Sequence, residues 1–104
     1  GWKEIALVLN VLKSTAEEQR IEMHYVIDTL ESVIPGDTHY YRISIRTRAV
    51  PQEGSFKSMM QFFQQLSENP RFVILFDKIE MVAGDEGLSV VQATVNTWVQ
   101  ITNE

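Results

Sequence analysis

The first part of the chain repeats apolar residues at helical spacing. Between Trp2 and Gln19 they recur at intervals of three and four, and no proline or glycine interrupts the run. This spacing places them on one face of an amphipathic helix. The residues on that face are Ile5, Leu9, Leu12 and Ala16, widened by Trp2 and Val8.

After Ile21 the spacing changes to alternation of apolar and polar residues, which is typical of a half-buried strand. The pattern predicts a strand from Ile21 to Ile34, with room for a bulge between Thr29 and Glu31. Pro35-Gly36-Asp37 has turn chemistry, and a second alternating strand is predicted from His39 to Val50. The two strands should therefore pair as a hairpin.

The second half begins with another amphipathic helix. Ser55, which follows Gly54, suits a helix N-cap, and Asn69-Pro70 should end the helix because proline disfavours helical backbone in the residue before it. Burial of an apolar stripe would stabilise this helix by about 1.5–3 kcal/mol for each side chain, before entropy is subtracted. The predicted stripe is Phe56, Met59, Met60, Phe63 and Leu66, with Phe62 at its edge.

Two further strands complete the pattern. The first runs from Phe72 to Met81, and its residues up to Phe76 are apolar on both faces. Such a strand is either covered on both sides or meets a partner on its second face. A loop from Ala83 to Gly87 then leads to a last strand, from Leu88 to about Thr102.

The repeated order of helix and hairpin predicts the fold class α+β. We expect a two-layer sandwich with a circularly permuted ferredoxin-like αββαββ order, in which both helices cover one face of a four-stranded antiparallel sheet. With 104 residues, 44% of them hydrophobic, the chain fits a single domain, 1–104. Because it opens on Gly1-Trp2 without a methionine, we expect it to be part of a longer protein.

Composition excludes several kinds of site. The chain has no cysteine, so it has no disulfide, thiolate metal site or cysteine nucleophile. Its net charge of −5 argues against general nucleic-acid binding, which normally needs a basic surface. No apolar run is long enough to span a bilayer.

No pattern of catalytic or cofactor-binding residues is found. His24 and His39 could approach each other across the first hairpin, but no carboxylate stands at metal-ligand spacing from either. Ser55 lacks a nucleophile-elbow motif, and Asp77 and Glu80 do not form a convincing catalytic pair. Glycine-rich nucleotide loops are absent. The residues therefore give no support to a cofactor or metal site.

The sheet face without helices is the candidate interaction surface. Arg42, Arg46 and Arg48, with Tyr40, form a basic stripe there, which is compatible with RNA binding but is more typical of a solvated or acid-paired face. Apolar and aromatic residues suggest contact with a partner protein. The predicted interface has two parts. Trp2, Ile5 and Leu9 belong to the first helix. Phe72, Ile74, Phe76 and Trp98 belong to the exposed sheet face or the edge strands.

The run from Gly54 to Thr97 resembles the PilO family, inner-membrane components of type IV pilus machines, and is similar to the GspM subunits of type II secretion. The resemblance is carried by a glycine before an aromatic-led helix, then by Pro-Arg and a hydrophobic strand, then by a hairpin to the last strand. The residues that match are Gly54, Phe56, Phe62, Phe63, Leu66, Pro70, Arg71, Val73, Ile74, Ile79, Leu88 and Val91 to Trp98.

The resemblance implies a structural, non-enzymatic domain on the periplasmic side of the bacterial inner membrane. Such a domain would be anchored by an N-terminal membrane segment and would form a homodimer or a heterodimer with a PilN-like subunit. No nucleic acid and no small-molecule substrate would be expected.

Two alternatives remain open from the residues alone. One is an ACT-like small-molecule-binding regulatory domain, which would place its ligand near a loop glycine such as Gly36 or Gly54. The other is an acylphosphatase-type enzyme, which needs an arginine in a phosphate-binding loop, whereas the arginines of the basic stripe lie within a predicted strand.

Overall fold

Six elements follow one another in the predicted order in the computed structural model, which describes residues 2–34, 39–53 and 55–100. The side chain of Trp2, the Pro35-Gly36-Asp37 turn, Gly54 and the predicted strand end after Gln100 lie outside the described residues. The αββαββ order confirms the predicted fold class. The elements are α1 (Trp2–Glu18), β1 (Ile21–Val33), β2 (Tyr40–Pro51), α2 (Phe56–Ser67), β3 (Ile74–Gly84) and β4 (Gly87–Gln100).

The four strands form one sheet in the order β1-β2-β4-β3, and every neighbouring pair is antiparallel. The two central strands therefore come from different hairpins, and β1 and β3 are the edges. At mid-sheet Ile45 of β2 lies opposite both Ile27 of β1 and Val95 of β4. Only two residues, Asp85 and Glu86, separate β3 from β4, so the predicted loop is a tighter turn.

Both helices cover the same face of the sheet. Alternate residues of β2 and β4 are buried, and they belong to one core cluster together with apolar residues of α1 and α2. The uncovered face, called the open face below, carries the intervening residues of these strands. The central members of the core are Val8, Leu12, Ile43, Ile45, Met59, Leu66, Val91 and Val95.

The start and end of α2 confirm its predicted boundary signals. The Ser58 amide donates to the Ser55 hydroxyl oxygen at 3.1 Å, so Ser55 is the N-cap. The helix closes with Glu68 as C-cap, shortly before Pro70. Beyond it the Arg71 amide donates to Asn69 Oδ1 at 2.9 Å, which supports the turn into the next strand.

The buried stripe of α2 differs from the prediction. Its buried residues are Met59, Phe62 and Leu66, whereas Phe56 is 57% exposed. The face turned to the sheet is thus centred on Phe62 rather than Phe63. Phe63 instead lies at the flank of the helix, where it contacts a residue of the edge strand β3.

Each edge strand contains a register shift. In β1 it falls between Ile27 and Thr29, slightly before the predicted position. In β3 there are two shifts, one between Asp77 and Glu80 and one between Val82 and Ala83. Lys78, within the first of them, has a left-handed φ of 52°. Such bulges bend an edge strand and interrupt its pairing.

The sheet is longer than the helices that cover it. The molecule measures 51 × 22 × 19 Å, because strands rise about 3.3 Å per residue and helices only about 1.5 Å. Part of β1 is therefore uncovered even on the helix side, where Tyr25, Ile27 and Leu30 are 37–41% exposed. Within the described residues, no helix is long and apolar enough to cross a membrane.

Candidate interaction surfaces

The residues considered for catalysis are dispersed. His24 lies opposite Arg48 of β2. Arg48 is nine positions along the chain from His39, and nine residues of extended strand span about 30 Å. The two histidines therefore do not approach each other, contrary to the expectation from the hairpin. His24 Nε2 is instead 3.0 Å from Glu22 Oε1 at the surface. No group of three metal-binding side chains occurs within residues 2–34, 39–53 and 55–100.

The carboxylates of β3 also have ordinary surroundings. The register shift places Asp77 opposite Thr94 and Glu80 opposite Gln92, so both stand on the open face and both are exposed. The Asp77 carboxylate accepts from the Lys78 amide at 2.9 Å, which is a local turn contact within the bulge. Gly36 and Gly54, named for a small-molecule site, lie outside the described residues.

Two of the predicted interface residues are core residues. Ile5 and Ile74 are each only 4% exposed, because Ile5 lies on the sheet-facing side of α1 and Ile74 begins β3 opposite the buried Thr97. Neither side chain has surface left for a partner. These two residues are therefore corrected from interface to core.

Four of the other predicted interface residues, Leu9, Phe72, Phe76 and Trp98, are half-buried. Leu9, Phe72 and Phe76 pack against the core. Trp98 lies on the open face, opposite Arg42 of β2. Contact of these residues, and of Trp2, with a partner stays a prediction.

Exposed apolar side chains occur at Val73, just before β3, and along β3 itself, where they alternate with or follow the predicted residues Phe72, Ile74 and Phe76. Val73 is 62% exposed and Leu75 53%, and the strand continues with exposed Ile79 and Val82. We call these four residues the β3 edge surface. Long, exposed, apolar edge strands are templates for association with another chain. The signal in the sequence was the apolar character of both faces from Phe72 to Phe76.

An aromatic corner adjoins this surface on the open face. Leu75 pairs with Asn96, and Trp98 follows two residues later on the same side of β4. Tyr40, which is half-buried, pairs with Gln100 next to it. Tryptophan, tyrosine and arginine are the residue types enriched at energetically important interface positions, and Arg42 pairs with Trp98 here.

The centre of the open face is charged, and most of that charge is balanced. Arg46 Nε is 3.3 Å from Asp28 Oδ1, and Arg42 Nη1 is 3.9 Å from Glu31 Oε2. Both pairs are exposed to solvent, so each contributes at most about 1 kcal/mol. Because β1 supplies the acids, the arginine stripe is not a uniformly basic surface of the kind that nucleic acids require.

A shallow depression of about 440 Å³ lies on the open face. It is bounded by β1 on one side and by the bulge of β3 on the other. Its lining includes His24, Arg46, Arg48, Lys78, Glu80 and Thr94.

Several solved structures are similar to the chain, and two of them are PilO structures. No protein-family model and no curated protein sequence matches the chain. The crystal structure of the type 4 fimbrial biogenesis protein PilO from Pseudomonas aeruginosa superposes with a TM-score of 0.64 and 15% identity, covering 89% of this chain and 67% of that one. The core region of PilO from the type IV pilus system of the same organism superposes with a TM-score of 0.58 and 15% identity, covering 92% of both chains. At this identity the likeness is one of fold, and the chain accordingly has the fold of the PilO core.

Proposed function

We propose that this chain is a PilO-like structural domain of a type IV pilus assembly platform or of a related type II secretion platform. The observation that carries the proposal is the agreement of fold with PilO over 89–92% of the chain. The domain would act without catalysis, by pairing with a second copy or with a PilN-like subunit. It would do so on the periplasmic side of the inner membrane, held there by an N-terminal anchor.

The β3 edge surface is the pairing surface that the exposed residues favour. Val73 and Leu75 lose contact with water only if another chain covers them, and burial of apolar area stabilises association by about 25 cal/mol per Å². They adjoin Trp98 and Tyr40, so one partner could cover both the edge and the aromatic corner. On the open face the opposite edge is less suited, because Asp28 and Glu31 of β1 pair there with arginines of β2 and Val26 lies opposite Arg46.

The bulge at Lys78 limits how a partner can use this edge. A residue with φ of 52° interrupts regular strand pairing. The part of β3 before the bulge, Ile74–Asp77, is the regular segment next to Val73 and Leu75. We therefore place the pairing contact on the first half of β3.

Titration calorimetry with a PilN-like subunit tests this function. The proposal predicts saturable binding that Leu75→Lys weakens by at least about tenfold, since a charge is then buried at the contact. Lys57→Glu on the exposed side of α2 is the control and should bind as the native chain does. The proposal would be refuted by a chain that binds neither itself nor any PilN-like subunit at high micromolar concentration.

A further inference from the structure

The depression on the open face contains three cations, and only Arg46 among them forms an ion pair within the described residues. Arg46 and Arg48 are two residues apart on β2, so their side chains leave the same face of the sheet. Lys78 joins them from the bulge of β3, and all three line the same space of about 440 Å³. The sheet thus brings together cations from two strands that are not neighbours.

The charge of this lining is opposite to that of the whole chain. The chain carries a net charge of −5, yet the lining has Arg46, Arg48 and Lys78 against a single carboxylate, that of Glu80. Asp28 engages one nitrogen of Arg46 at 3.3 Å. Across the part of the chain that the structure describes, the side chains of Arg48 and Lys78 have no ion-pair partner.

The residue opposite Arg48 keeps a nearby carboxylate occupied. His24 lies directly opposite Arg48 in the pairing of β1 with β2, and its Nε2 is held by Glu22 at 3.0 Å. Glu22 thus faces the histidine and forms no ion pair with Arg48. The Arg48 guanidinium keeps its donors available for an acceptor from outside the chain, and guanidinium pairs with carboxylates through two parallel hydrogen bonds.

The spacing of the cations matches an extended peptide. Residues i and i+2 of a strand are about 7 Å apart on one face, so Arg46 and Arg48 can each meet one of two alternate side chains of a second extended segment. Lys78 stands two strands away from β2, at about 10 Å across the sheet. One small anion cannot span these distances, whereas a segment with several carboxylates can.

We infer that the cationic depression binds an extended acidic segment of a partner protein. Carboxylates at alternate positions of that segment would pair with Arg46 and Arg48, and a further carboxylate would pair with Lys78. Glu80 would repel a carboxylate placed next to it and so help to set the register. This site lies on the open face, apart from the pairing contact on the first half of β3, and it does not depend on the proposed function.

Fluorescence anisotropy with a labelled peptide of about ten residues, alternating glutamate and threonine to match strand periodicity, tests the inference. The native chain should bind this peptide saturably, and raising the salt concentration from about 0.05 M to about 0.5 M should weaken binding because exposed ion pairs are screened. The same peptide with glutamine in place of glutamate should not bind.

Matched variants separate the depression from general charge. Arg48→Gln with Lys78→Gln should raise the Kd at least about tenfold, through loss of two charge-assisted contacts. The control double variant, Lys13→Gln with Arg71→Gln, removes the same amount of charge away from the depression, from α1 and from the segment before β3. It should change the Kd less than about twofold. Circular dichroism shows whether each variant is folded. The inference would be overturned if both double variants weakened binding equally. It would also be overturned if the glutamate peptide did not bind, or if millimolar acetate displaced it.

Discussion

The ring of Phe63 on α2 stands edge-on to the ring of Phe76 on β3, with centroids 4.7 Å apart. This contact joins the second helix to the edge strand that carries the exposed residues Val73 and Leu75. Edge-to-face pairs stabilise by about 0.5–1.5 kcal/mol beyond the area that they bury. The position of the β3 edge surface therefore depends on a helix that lies on the other face of the sheet.

Truncation of Phe76 should loosen this edge. Phe76→Ala removes a half-buried ring, and we expect a loss of about 2–3 kcal/mol in the free energy of unfolding. Denaturation in urea measures it, with Phe56→Ala as control. Phe56 is 57% exposed, so Phe56→Ala should lower the free energy of unfolding by less than about 0.5 kcal/mol. Equal losses of stability in the two variants would contradict the exposure of Phe56 and so the orientation of α2 against the sheet.

The two buried threonines of the sheet should respond oppositely to valine. Thr47 donates its hydroxyl to the Ala93 carbonyl at 2.9 Å, so Thr47→Val should destabilise by about 1 kcal/mol. The Thr97 hydroxyl is fully buried and has no partner within the described residues. Thr97→Val should therefore stabilise, by about 1 kcal/mol, because it removes an unsatisfied polar group. The same sign of change in both variants, measured by urea denaturation, would refute this distinction.

The two ends of α2 should differ in how much their serine hydroxyls stabilise the helix. Ser55→Ala removes the acceptor for the Ser58 amide and should cost about 1 kcal/mol. Ser67→Ala at the other end removes only an exposed bond from its hydroxyl to the Phe63 carbonyl, at 2.8 Å, and should be nearly neutral. Thermal unfolding followed by circular dichroism distinguishes the two. A Ser55→Ala variant as stable as native would show that the cap is dispensable.

The turn from α1 into β1 can be tested through its backbone. Arg20 has a left-handed φ of 57° and forms an exposed ion pair with Glu53. Arg20→Gly and Arg20→Ala both remove that pair, but only glycine adopts this φ without cost. The glycine variant should thus be more stable than the alanine variant by about 1 kcal/mol. An alanine variant of equal stability in urea denaturation would argue against the left-handed conformation.

Element order and face assignment could be predicted because they follow from local periodicity. Ile43 and Ile45 of β2, and Val91 and Val95 of β4, are buried as their alternation indicates. In the same way Ser55 and Pro70 mark the limits of α2 through local backbone chemistry. These features require no knowledge of distant parts of the chain.

The remaining features depend on tertiary arrangement. The choice of Phe62 over Phe63 for the core is a rotation of α2 that is set by packing against the sheet. The bulge at Lys78 and the exposure of Val73 depend on β3 being an edge strand, and periodicity does not show strand order. The burial of Ile74 is hidden for the same reason, whereas Ile5 lies on the apolar face of α1 and periodicity alone is enough to assign it to the core.

Sedimentation velocity over a range of protein concentrations tests the central claim most directly, namely that the domain associates through the β3 edge surface. The native chain should show a concentration-dependent dimer, alone or with a PilN-like subunit. Leu75→Lys should shift the equilibrium toward free protomers by at least about tenfold. Val26→Lys, which alters a residue of similar exposure on the opposite edge, should leave association unchanged. A protomer that stays monomeric in every mixture, or dissociation by Val26→Lys and not by Leu75→Lys, would contradict the account.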